Sequence, residues 1–329
     1  MSYLDVALKY WQPSPGAPAA WPRASAAPTR SVARNLRFKK IDAFATSTTS
    51  GNPAAAVYLD ALEHLSQAEM QRIAKELKGF VSEVGYVARI SRDSFRLKYF
   101  SSEREVEFCG HTTLAIVNDL VRSDNGLKHI PEIRLHTNKG VISAEIPANE
   151  AEVIYVQAPD PVYSACGIAL PEICKAMGLP KTAIDTDLKT GIVNAGNQTL
   201  CLPLKTLQHV VNCTPDYEGL RTLCHKHRLD AVVVFTAEVS DPANAYRTRV
   251  FVAPLGYLED PATGSVNAAL GYYLYRSGKW DGSSIRIEQN DDLANPNIVK
   301  LSTRKGLDGS LRVVFGGGAI VRMEGQYSL

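Results

Sequence analysis

The sequence predicts an α+β fold of two similar halves, each wrapping a β-sheet around a central helix. Three observations lead there. From about Leu36 onward, short strands and helices alternate without a strict βαβ rhythm, which argues against a doubly wound parallel sheet. Two segments, "LKYFSSEREVEFCGHTTLAIVNDLVRS" and "TRVFVAPLGYLEDPATGSVNAALGYYLYRSG", share one plan: a strand ending at Phe100 or Phe251, a loop with an acidic residue, a small-residue turn, and an apolar helix ending in Arg-Ser. Counted from each Phe, Cys109 and Asp260 fall at equivalent positions. Both helices, over about 113–122 and 264–276, are apolar nearly all round, as a helix buried on every side would be.

The elements follow in order. Residues 1–36, with "QPSPGAPAAWPRASAAPTRSVARN", are rich in Pro, Ala, Ser and Arg and poor in acids, so they read as a flexible extension. Leu4, Leu8 and Trp11 with the arginines leave an organelle transit peptide open, but Asp5 and the early prolines fit that poorly. "LRFKKIDAF" alternates like a strand, and "GNPAAAVYL" turns into another. "SQAEMQRIAKELKG" is a helix, with Ser66 and Glu69 as a capping box, Met70, Ile73, Ala74 and Leu77 on one face, and Gly79 as the stop. "FVSEVGYVARI" and "FRLKYF" are strands, and the first carries a lone carboxylate, Glu83. In the second half "LPEICKAMGL" and "TPDYEGLRTLCHKHRLD" are helices with Pro near their first turns, while "AVVVFTAE" and "AYRTRVFVAP" are strands. The expected division is an extension over 1–36, a first half over 37–155 and a second half over 156–329, the last strand being free to return to the first half.

Composition narrows the function. A chain of 329 residues exceeds the roughly 250–300 at which single cores stop growing. Lys and Arg total 36 against 34 for Asp and Glu, and no basic stripe is interleaved with aromatics, so nucleic acid is a poor partner. The longest apolar stretches fall far short of the ~20 residues needed to cross a bilayer, so no membrane partner is expected. Six scattered cysteines without a CxxC pair read as reduced thiols in a cytoplasmic compartment.

Three features carry possible chemistry. A helix N-terminus offers unpaired N–H groups and partial positive charge, and "GHTT" and "ATGS" would let an anion approach closely. If the halves face each other, the two starts converge on a small carboxylate; ordinary capping by Thr112, Thr263 or Ser265 is the plain alternative. Glu83, beside Val81, Val84 and Tyr86, is a candidate acid/base if that strand face is desolvated, and a wet-face residue if not. Cys109 and His111 stand two apart, a spacing that rarely makes a nucleophile–base pair, so Cys109 reads as packed wall. His111, at a helix entrance, is expected as a neutral imidazole. "CHKH", Cys224 to His227, lacks a second ligand pair, and no P-loop or strand-to-helix GxGxxG is present, so no metal or nucleotide site is expected.

The segments "IDAFATSTTSGNPAAAVYL", "AKELKGFVSEVGYV", "YFSSEREVEFCGHTTLA" and "VFVAPLGYLEDPATGSVNAALGYYL" together resemble, in order and spacing, the phenazine biosynthesis PhzF-like family, from about residue 37 to the C-terminus. One departure stands out: where the family commonly has Gln-Gly followed by Arg-Pro-Ser, this chain has "QNDDLANPN". The resemblance implies the diaminopimelate epimerase-like fold, with the site between two pseudo-symmetric halves, a homodimer, and a cofactor-free isomerase that moves a proton within a small carboxylate-bearing metabolite such as dihydro-3-hydroxyanthranilate. Carried over, Glu83 is the catalytic acid/base with Ser82 beside it. Asp260 and His111 contact the substrate's amine or hydroxyl, backbone groups at Gly110, Gly264 and Ser265 hold its carboxylate, and Asn52 lines the cleft. Epimerases of this fold use one thiol on each side of the α-carbon; here Cys109 takes the first place and Asp260 the second, which disfavours a racemase or epimerase. A non-catalytic metabolite-binding or regulatory protein is the remaining alternative.

Overall fold

Along Asn35–Ala43 exposed and buried side chains alternate and then become buried throughout, and this run forms strand β1. The computed structural model describes residues 34–46, 48–147, 153–306 and 309–329, so the expected extension lies almost wholly outside the described residues. After β1 come β2 (Asn52–Leu59), β3 (Glu83–Ser91), β4 (Ser94–Ser101), β5 (Glu105–Val106), β6 (Glu132–Thr137), β7 (Gly140–Glu145) and β8 (Ile154–Gln157). The second set is β9 (Val162–Ser164), β10 (Gly191–Asn194), β11 (Gln198–Pro203), β12 (Ala231–Thr236), β13 (Tyr246–Phe251), β14 (Glu259–Asp260), β15 (Ile285–Gln289), β16 (Asn297–Lys305), β17 (Leu311–Gly317) and β18 (Ala319–Ser328).

Pairing repeats strand for strand. β1 is antiparallel to β2, β2 parallel to β3, β3 antiparallel to β4, β4 parallel to β6, and β7 and β8 follow antiparallel. The same sequence of directions runs β10, β11, β12, β13, β15, β16, β17. The short β5 and β14 lie antiparallel on β4 and β13. β8 and β17 pair antiparallel and join the two repeats, while β18 pairs with β1 and β9 with β10. The fold is therefore diaminopimelate epimerase-like: two pseudo-symmetric halves, each a curved sheet around one helix. β8 runs through the expected boundary at 155/156, with β7 on one side and β17 on the other.

Helix α1 (Gln67–Glu76) starts at the Ser66–Glu69 capping box read from the sequence, and Tyr86 donates from β3 to its Met70 carbonyl. The two central helices are α2 (Gly110–Ser123), buried along most of its length, and, in the second half, one at Gly264–Arg276 buried from Gly264 to Leu274. Their apolar surface enters one core with the inner faces of both sheets. Three shorter helices, α3 (Leu170–Ala176), α4 (Leu207–Val211) and α5 (Tyr217–His227), cover the outer face of the second sheet. Ile173, Val210 and Leu220 there pack with Leu200, Leu202, Val232 and Val234 in a separate cluster. The Gly264–Arg276 helix is α6.

Two sequence expectations are corrected here. α2 begins at Gly110 and not near residue 113, with Cys109 as N-cap; α6 has Thr263 as N-cap, and neither cap side chain accepts a bond from a first-turn backbone N–H. Helix register thus makes Thr263 the counterpart of Cys109. Strand register agrees: Tyr99 faces Val106 as Val250 faces Asp260, so Asp260 corresponds to Val106. Counting from Phe100 and Phe251 misaligned them because the loop before β14 is longer by three residues than the one before β5.

Gly110 and Gly264 are required by close approach. A Cβ on Gly264 would lie 2.2 Å from the Phe315 ring, and one on Gly110 would lie 2.9 Å from the Ser265 backbone nitrogen and 3.0 Å from the same ring. Phe315 stands on β17 opposite Val156, at the join between the halves. Gly264→Ala should therefore cost about 1–3 kcal/mol through overpacking, read by urea denaturation, and pairing it with Phe315→Leu should recover part of the loss. Unchanged stability in the single variant would show that the ring is not confined as described.

Candidate functional site

The starts of α2 and α6 meet in a small chamber lined by Glu83, Cys109, Gly110, His111, Tyr257, Asp260, Thr263 and Ser265, and also by Asn197 and Asp230. Its free volume, about 20 Å³, holds about one water. Glu83 is placed by the first pair of β3, between Ala54 of β2 and Ser101 of β4. His111 sits in the first turn of α2, and Asp260 ends β14. All three are only 3% exposed, which settles the wet-face alternative for Glu83.

His111 Nε2 lies 3.1 Å from Glu83 Oε2, but out of line for a hydrogen bond, so both atoms are buried without an aligned partner. Tyr257 directs its hydroxyl at Glu83 Oε1, 3.2 Å away, and lies 3.4 Å from Asp260 Oδ1. Asp260 also accepts from Asn52 Nδ2 at 2.6 Å and from Thr263 Oγ1 at 2.5 Å. Gln289 braces this corner from β15, donating to the Asp260 carbonyl and accepting from the Thr263 N–H and Asn267 Nδ2.

Burial pushes the Asp260 carboxyl up to about 6; His111 opposes that rise, and the Glu83 charge adds to it. For His111, burial disfavours the charged ring, whereas negative charge on a neighbouring group, the Glu83 carboxylate in contact with Nε2 above all in a chamber where the thiol is protonated, favours it, and the net direction is upward. The Glu83 carboxylate in contact thus favours the charged ring and works against the neutral imidazole expected from the helix dipole. Burial raises the Cys109 thiol and keeps it protonated, as expected of a wall residue. Glu83, Cys109 and His111 offer ligand atoms within 4.8 Å of one another, the sulfur lying against Nδ1 and the carboxylate against Nε2.

Of the remaining predicted residues, Gly110 and Ser265 line the chamber, whereas Gly264 packs on Phe315. Asn52 does not line it: fully buried, it stands behind Asp260 and also donates to the Ala262 carbonyl. Ser82 donates to Asn52 Oδ1 and borders a second, outer pocket of about 370 Å³ with Pro53, Lys78, Phe80, Gly256 and Tyr257. Tyr257 and Gln289 have no place among the residues expected from the sequence, and Thr263 was expected there only as a possible cap. The only signal for Tyr257 was its place three residues before Asp260. In the departing segment Asn290 takes φ +122°, and the buried Arg247 holds the carbonyls of Asn290 and Asp292. Asn297 then bridges the Gly51 N–H and the Pro261 carbonyl, tying the two halves together.

Residues 41–325 match the family model described as phenazine biosynthesis-like protein, PhzC-PhzF. Antisense-enhancing sequence 1 of Schizosaccharomyces pombe is 29% identical over 88% of this chain and 97% of its own. Trans-2,3-dihydro-3-hydroxyanthranilate isomerase of Pseudomonas fluorescens is 29% identical over 85% of this chain and 98% of its own. Among solved structures, a PhzF-family protein of Bacillus anthracis superposes with a TM-score of 0.78 at 23% identity, covering 90% of this chain and all of that one. A hydroxyproline epimerase of Agrobacterium vitis, at TM-score 0.57 and 12% identity over 90% of this chain and 93% of its own, shares the fold.

Because its folded-state pKa is raised, Asp260 binds a proton in the folded chain between about pH 4 and 6 that the unfolded chain has already released. Stability is therefore lost as pH rises through that window. Asp260→Asn should stabilise the protein at pH 7.5 by on the order of 2–3 kcal/mol, with the gain absent at pH 4. Thermal melts at the two pH values check this; an equal gain at both would mean that Asp260 is not held near 6.

Proposed function

The chain belongs to the phenazine biosynthesis-like family and is an isomerase, and we propose that it moves a proton between two carbons of a small carboxylate-bearing metabolite, without a cofactor, using Glu83 as a single acid/base. One observation carries this reading: the buried Glu83 presents Oε2, without an aligned partner, to a chamber faced also by two helix starts whose first-turn N–H groups no cap side chain takes up.

The first-turn N–H groups of α2 and α6 supply a site for the substrate carboxylate, reinforced by the partial positive charge of both helices. Glu83 takes a proton from one carbon, and the electron pair left behind delocalises into the substrate. The His111 imidazolium beside it stabilises that negative charge. Glu83 then returns the same proton to another carbon, so the product has the atoms of the substrate. The free volume of about 20 Å³ is smaller than a six-membered ring, so a substrate of that size would need the side chains that line the chamber to move. The relative from Pseudomonas fluorescens suggests trans-2,3-dihydro-3-hydroxyanthranilate as the first substrate to test.

A thiol racemase is disfavoured. Cys109 is buried, its thiol stays protonated, and Thr263 occupies the position a second thiol would need.

Glu83→Gln should lower turnover by at least ~10²-fold with an unchanged melting temperature, and product formed by the wild-type protein in D₂O should carry less than a full deuterium at the new C–H position. A fully active Glu83→Gln protein would sink the proposal. Cys109→Ala should keep activity within severalfold; its loss, with Glu83→Gln still active, would instead favour thiol chemistry.

A further inference from the structure

Tyr257 has one phenolic proton and two carboxylates within reach, Glu83 Oε1 at 3.2 Å and Asp260 Oδ1 at 3.4 Å. Among the described residues it is the group that hydrogen-bonds the Glu83 side chain, whereas Asp260 has Asn52 and Thr263 as well. Its ring forms part of the wall of both the inner chamber and the outer pocket, so it separates the two. Gly256 before it has φ +98°, and a Cβ there would press on Glu103 at 3.1 Å, so the turn that directs Tyr257 inward favours glycine. Burial and both nearby carboxylates push the phenol far above its ordinary range, which keeps it a donor at any working pH.

We propose that Tyr257 is a positioning residue for the proton transfer, its hydroxyl donating to Glu83 while that carboxylate is charged and to Asp260 once Glu83 has taken the proton. The proposal rests on the reading of Glu83 as the acid/base. With Glu83 ionised, the hydroxyl holds Oε1 and leaves Oε2 for the substrate carbon. Once Glu83 has taken the proton, ionised Asp260 is the stronger acceptor, and the O–H turns to it. No bond of Tyr257 breaks; only the direction of its donation changes. The other titratable groups that line this chamber are Cys109 and His111 at the start of α2, and Asp230.

The experiment needs no substrate: titration of the Asp260 carboxyl carbon by ¹³C NMR in protein labelled at aspartate, the resonance being assigned by its loss in Asp260→Asn. Glu83→Gln removes a neighbouring charge and frees the hydroxyl for Asp260, so the Asp260 midpoint should fall. In a Tyr257→Phe background the same substitution should lower it clearly less, because only the charge effect remains. Equal falls in both backgrounds would overturn the proposal. 3-Fluorotyrosine at 257 keeps the ring, strengthens the donor and should enlarge the fall, which decides the matter if Tyr257→Phe proves unstable; an unenlarged fall counts against the proposal. Turnover supplies a second readout: with trans-2,3-dihydro-3-hydroxyanthranilate, Tyr257→Phe should lower kcat roughly tenfold while KM stays within about twofold. An unchanged kcat would overturn the proposal. A wild-type protein inactive on that acid would count against the functional reading for that substrate, and the NMR comparison would still decide the role of Tyr257.

Discussion

The close approach of two helix N-termini is the constraint on which the rest of the structure depends. Gly110 and Gly264 carry no side chain, so the Phe315 ring can lie against both and the α2 backbone can come up to Ser265. Each start brings partial positive charge and unpaired N–H groups, and placing two together in a buried chamber is unfavourable unless negative charge is nearby. Glu83 and Asp260 supply that charge within the protein, and a substrate carboxylate would supply more. Convergence of the helices thus shapes both the packing of the core and the kind of molecule the chamber attracts.

The carboxylates in turn interact with one another through the groups between them. Two buried acids and a histidine would be costly in isolation, and the structure distributes the cost. The Glu83 carboxylate favours a charged His111 ring, burial pushes the Asp260 carboxyl up to about 6, and Asn52, Thr263 and Tyr257 give hydrogen bonds to the two acids. Such tension is expected where a group must bind and release a proton at neutral pH. Gln289 and Asn297 hold the loop that carries Asp260 against the first half, so the acid pair keeps its spacing.

Much of this was legible along the chain. The Ser66–Glu69 capping box, the alternation of β1 and the all-apolar pattern of α6 report local chemistry, and each formed where its residues indicated. The motifs "CGHTT" and "DPATGS" indicated the two helix starts because glycine and small hydroxyl residues mark close backbone approach. Counting along the chain failed at the one place where the repeats differ in loop length, so Cys109 was matched to Asp260 when strand and helix register match it to Thr263. Tyr257 and Gln289 were invisible for a related reason: a tyrosine in a loop and a glutamine at a strand end carry no local signature of the distant groups they touch.

The sequence by itself determined the elements, the repeat and the candidate acid, because periodicity, caps and small-residue turns are properties of neighbouring residues. Tertiary structure decided which residues share the chamber, that Asn52 stands behind Asp260 instead of lining the cleft, and that His111 meets a carboxylate that favours its charged form. These depend on distances between residues as far apart as Asn52 and Asp260. Protonation follows from burial and from the charge a few ångströms away, which only the folded chain brings into place.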